Sequence, residues 1–211
     1  MAEHALQKKL SNHCAELKSC ALCKDMIGPV VAPPPVLTKV YLIGQAPGPH
    51  EGKFGKPFAW TAGKTLFRWF APLGVDEEQF RALVYMAAVC RCFPGKAKPN
   101  ANGKAGGDRV PAPDEVEKCS QWMRREVEIL KPDLVIPVGR LAIERVLPKA
   151  PLAEIIGKTH RITLFGHVAD AIPLPHPSGA STWFKMEPGK SLLAEALKKI
   201  GRHPAWTSQF K

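Results

Sequence analysis

Apolar residues fall in short dense runs separated by longer amphipathic stretches. The runs Val36–Gly44, Ala82–Val89, Leu134–Val138 and Ile162–Phe165 read as strands, with Ala171–Leu174 as a further candidate. Between them "AGKTLFRWFAPLG", "PDEVEKCSQWMRREVEIL", "GRLAIERVL" and "PGKSLLAEALKKI" repeat apolar positions at helical spacing, the last opening on proline and closing on lysines, as a helix dipole favours. Leu10, Cys14 and Leu17 share that spacing near the N-terminus, so Cys14 reads as a packed core residue. Alternation of this kind predicts an α/β fold: a three-layer α/β/α sandwich around a central, mostly parallel four-stranded sheet, as one domain over residues 1–211. There is no internal repeat, and the segment Phe93–Ala112, rich in Gly, Lys, Asn and Pro, reads as a mobile basic loop.

Ligand sites in such sheets lie beyond the carboxyl ends of the strands. Two stretches fall there. "GQAPGPHEGKFGKPF", Gly44 to Phe58, follows the first strand, and "IPLPHPSGASTWF" follows the last apolar run. Brought to one sheet edge, Glu51 could handle a water, His176 could donate to developing negative charge, and Phe58 could stack on a flat ring. Trp183 and Phe184 close the second stretch and could serve as core aromatics.

Composition narrows the partners. With 211 residues, 45% apolar and 23% charged, the chain is globular, and its net charge of +11 draws polyanions such as nucleic acid or an acidic membrane surface. No signal-like N-terminus and no apolar stretch of about 18 residues is present, which points to the cytoplasm and away from a membrane span. In that reducing compartment cysteines hold metal more often than they pair. Cys20 and Cys23 form a C-x-x-C, Cys90 and Cys92 follow an apolar run, and Cys119 lies in a helix, enough for a four-thiolate site with either Cys90 or Cys92 as a member.

These motifs together resemble the iron-sulfur branch of the uracil-DNA glycosylase superfamily, families four and five and the cross-linking type. "GQAPGPHEGKFGKPF" aligns without a gap to a first motif of the form G-E-x-P-G-x-x-E followed by G-R-P-F, "HPSGAS" resembles the second motif, and "RCFPG" resembles R-C-x-P-P-G. The resemblance runs from about Cys20 to Ile200. It implies hydrolysis of the N-glycosidic bond of uracil in DNA, with the base rotated out of the stack and an abasic site left behind. It implies Glu51 and His176 as catalytic residues and Gly44, Gln45, Ala46, Gly48, Phe58, Arg91 and Ser178 around the base. It also implies a structural [4Fe-4S] cluster on Cys20, Cys23, Cys92 and Cys119, uracil-containing DNA as partner, and a monomer.

The sequence departs from the pattern at several points. Gln45 stands where family four has Glu, Ala88 where an Asn commonly reads the uracil edge, and Asp108 in the loop where cross-linking relatives carry a His. A covalent trap is therefore not expected, and Gln45, carrying both donor and acceptor, becomes the expected uracil reader, with Arg91 as second candidate. Two other readings are open: a catalytically weak or inactive binder of uracil-containing or abasic DNA, and a structural-zinc domain with an RNA or membrane partner.

Overall fold

The computed structural model describes residues 2–99, 106–179 and 181–210. Five strands, β1 (Val40–Gly44), β2 (Tyr85–Ala88), β3 (Leu134–Pro137), β4 (His160–Leu164) and β5 (His167–Ala171), form one sheet in the order β2-β1-β3-β5-β4. The first three and β5 run parallel, and β4 is an antiparallel edge. The expected four-stranded sheet is thus corrected to five. The extra strand arises because Phe165 and Gly166 both take positive φ, 49° and 82°, and close a two-residue hairpin between β4 and β5. The helices are α1 (Ala2–Lys18), α2 (Glu51–Phe54), α3 (Thr61–Phe70), α4 (Glu77–Leu83), α5 (Pro113–Leu130), α6 (Arg140–Val146), α7 (Leu152–Ile155), α8 (Gly189–Arg202) and α9 (Pro204–Thr207).

Strand residues alternate between two cores, as a pleated sheet buried on both faces requires. Tyr41, Ile43, Tyr85 and Val135 face one cluster with Leu10 and Cys14 of α1 and Met123 and Val127 of α5. Val40, Leu42, Met86 and Ile136 face another with Leu66 and Phe70 of α3, Phe80 of α4, Leu193 and Ile200 of α8, and Trp206 of α9. The sandwich of three layers follows from these two burials. Trp183 and Phe184 join the second cluster, Phe184 meeting Trp69 edge-on at 5.0 Å; neither lines the cleft described below.

Between the layers, one charged group is wholly enclosed. Glu126 of α5 accepts hydrogen bonds from Tyr41, Tyr85 and Arg91, and His13 of α1 lies 3.3 Å away. Arg91 is 1% exposed, so this second candidate for reading the base is instead a structural cation paired with Glu126 and absent from the cleft described below. Among the described residues no helix is long and apolar enough to cross a membrane.

Candidate active site

The carboxyl ends of the parallel strands converge on a cleft of about 440 Å³. The end of β1 supplies Gly44, the segment after it Gln45, Ala46, Gly48, Phe58 and, at the start of α2, Glu51, β2 supplies Ala88, and the loop after β5 supplies His176 and Ser178. The two motif loops, more than a hundred residues apart, therefore meet as the sequence pattern anticipates.

Glu51 opens α2 and is 7% exposed. Its Oε2 accepts the Gly48 N–H at 2.6 Å, bending the loop back on itself. Phe58 has a positive φ of 52° and lays its ring on Gly44, where a Cβ would stand 2.8 Å from the ring. Gly63 is held as tightly from the other side, because its Cβ would collide with the Phe58 carbonyl. Arg81 of α4 clamps the loop's main chain, donating to the carbonyls of Pro57 and Phe58 at 2.9 and 2.8 Å.

His176 is oriented by its neighbours. The Ser178 N–H donates to its Nδ1 at 3.3 Å, which places the ring hydrogen on Nε2. Burial lowers the imidazole's pKa while the Asp108 carboxylate partly raises it, so the ring is neutral near pH 7. Gly139, at φ 85° after β3, lets the ring approach, since a Cβ there would stand 2.8 Å from His176 Cδ2.

Five cysteines share one neighbourhood beside the cleft. Residues Ile27 and Phe93 pair through reciprocal main-chain hydrogen bonds of 2.7 and 3.0 Å, bringing the C-x-x-C segment against the chain after β2. Cys119 of α5 lies beside Cys90, and that neighbour, opposed by burial, brings its thiol down to about 6. Burial pushes Cys23 and Cys92 up to about 11, with neighbouring cysteine sulfurs adding to it. Cys14 stands apart, buried and 3.6 Å from the Tyr85 hydroxyl. Among the described residues no group of three or more His, Cys, Asp or Glu is drawn tightly enough to hold a single metal ion.

Residues 32–201 match the uracil DNA glycosylase superfamily. The chain belongs to that superfamily. A type-4 uracil-DNA glycosylase of Archaeoglobus fulgidus is 30% identical over 145 residues, covering 66% of this chain and 65% of that protein. One of Sulfurisphaera tokodaii is 26% identical over 199 residues, 92% of this chain and 82% of that protein. A type-5 uracil-DNA glycosylase of Pyrobaculum aerophilum is 28% identical over 144 residues, 63% and 56% of the two chains.

In this superfamily member Arg81, Gly63 and Gly139, none of them a candidate from the sequence, each position a cleft residue from outside the two motifs. Gly139, just after the "VIPV" apolar run, carried a signal: a glycine ending a strand. Arg81 carried none. Asp108 and Lys96 also line the cleft; residues 100–105 of the loop expected to be mobile and basic lie outside the described residues.

Proposed function

We propose that the protein hydrolyses the N-glycosidic bond of uracil in DNA, leaving an abasic site. The observation that carries this reading is the meeting of Glu51, Phe58 and a neutral His176 in one cleft at the strand ends. A flipped uracil stacks on Phe58, and Nε2–H of His176 donates to its O2 as the base departs with the bonding electron pair. Charge at the sugar turns positive at the same moment. Glu51 Oε1, without a hydrogen-bond partner among the described residues, is left to orient water toward the sugar carbon, while Oε2 stays with Gly48. Gln45, lining the cleft beside main-chain groups of Gly44–Gly48, reads the uracil edge, because Ala88 has no polar group to offer.

The residues fit an iron-sulfur cluster. Cys20, Cys23, Cys92 and Cys119 would hold it, an all-thiol donor set of the kind that binds iron-sulfur clusters, drawn from the N-terminal segment, the chain after β2 and α5. Bound, it would act as a structural cross-link between the N-terminal segment, the chain after β2, and α5. The protein works as a monomer in the cytoplasm, where these thiols stay reduced.

The test is incubation with a uracil-containing oligonucleotide followed by alkali. Strand cleavage at the uracil is expected; retention of intact DNA with tight binding would make the protein a binder only.

A further inference from the structure

The cleft contains a second carboxylate. Asp108 stands on the return limb of the segment after β2, facing Lys96 across an antiparallel bridge. Its Oδ1 accepts from Lys96 Nζ at 2.6 Å. Its Oδ2 turns to the loop after β1: a Cβ on Gly48 would lie 3.6 Å from Asp108 Oδ2 and 2.8 Å from Glu51 Oε2. Two carboxylates, from chain segments more than fifty residues apart, thus border one small volume that only a glycine leaves open. The Asp108 charge also reaches His176, opposing the effect of burial there. The loop after β1 lends the cleft only Glu51 as an acid, its neighbour Gln45 being neutral.

We infer that Asp108 is a second catalytic carboxylate, stabilising the cationic sugar together with Glu51. The inference rests on the glycosylase reading and assigns a residue that reading leaves unused. In the reaction the bond from the sugar C1′ to uracil N1 breaks, and its electron pair leaves with the base, hydrogen-bonded by His176. A water oxygen then bonds to C1′, and its proton passes to Glu51 and on to the departed base, with no oxidant or reductant required. Positive charge at C1′ exists chiefly in the transition state, so an anion held beside it lowers the barrier more than it tightens ground-state binding, by an amount reduced by water because the Asp108 side chain is 39% exposed. The pair with Lys96 holds the Asp108 carboxylate in place by one oxygen while the other faces Gly48 and Glu51.

Asp108→Asn keeps the shape and removes the charge. Single-turnover excision at saturating enzyme should fall by about tenfold or more, that is about 1.4 kcal/mol of barrier or more, with little change in binding to uracil-containing DNA. Gln45→Glu added to Asp108→Asn should recover part of the rate by restoring a carboxylate from the opposite loop. Lys96→Met breaks the same ion pair but spares the carboxylate, and should lose less than Asp108→Asn. Equal losses in Asp108→Asn and Lys96→Met without recovery by Gln45→Glu would overturn the inference and leave Asp108 a structural clasp. Full activity in Asp108→Asn beside crippled Glu51→Gln and His176→Ala would overturn it alone, whereas wild-type protein that leaves uracil in place would overturn the glycosylase reading with it.

Discussion

His176 donates usefully only while its Nδ1 is bare, because the Ser178 N–H points at that atom. Protonating Nδ1 would set two donors against each other. Burial lowers the ring's pKa, with Asp108 pulling the other way, so the neutral form persists below the ordinary imidazole value of about 6.5. Single-turnover excision should therefore hold constant through that pH and fall only at a lower one; an acid limb centred above it would contradict the assignment. The same shift costs stability in acid, since the unfolded ring takes its proton first as pH falls. Replacing His176 with Ala should slow excision by about 10²- to 10³-fold, the usual loss of one donor aimed at developing charge.

At the scale of elements, the Arg91–Glu126 pair joins β2's exit to α5, with Tyr41 of β1, Tyr85 of β2 and His13 of α1 completing it. Burial pushes the Glu126 carboxyl up, but Arg91, His13 and Tyr41 outweigh it and bring it down to about 2. A depressed acid stabilises the fold above its unfolded pKa, so this contribution should be present at neutral pH and be lost as pH falls from about 4.3 toward the folded value. Arg91→Met leaves the carboxylate buried without its cation and should cost about 3–5 kcal/mol, read as a lower denaturation midpoint. Its effect on excision per folded molecule should be small, since Arg91 is absent from the cleft. Gly139→Ala tests the turn after β3 in the opposite sense. The new methyl would push on His176, so excision should drop while the protein remains folded by circular dichroism.

For the whole molecule, a charge of +11 and a cleft edged by Lys96 and Arg109 favour DNA through its phosphates. Affinity should fall steeply with salt, and neutralising Lys96, Lys98 and Lys104 should flatten the slope by about 0.7 to 0.9 for each phosphate that is no longer paired with a cation. An unchanged slope would put the footprint elsewhere. The cysteines bear on the molecule's integrity: Cys92→Ser should lose the visible absorption of an iron-sulfur cluster and destabilise the fold, whereas Cys14→Ser and Cys90→Ser should keep the colour. The reverse result for Cys90 and Cys92 would exchange their roles, a comparison made sharp by the closeness of Cys90 to Cys119.

By itself the sequence determined the alternation of strands and helices, the two loops at the strand ends, and the motif residues Glu51, Phe58 and His176. Each is written locally: short dense apolar runs and helical spacing for the elements, and glycine, proline and small-residue turns for the loops. The β4–β5 hairpin was blurred because "LFGH" places its turn inside one apolar run, and only cross-strand pairing tells a hairpin from a longer strand. Tertiary structure alone decided the rest. Arg91 stands one residue from a cysteine and looks in sequence like a site residue, yet Glu126, 35 positions away, draws it into the core. Arg81 serves the cleft through main-chain carbonyls, which leave no mark on residue identity. Asp108 enters the cleft because the chain after β2 folds back over the loop after β1, and long-range approach of that kind is set by packing and closure of the whole chain rather than by any local pattern.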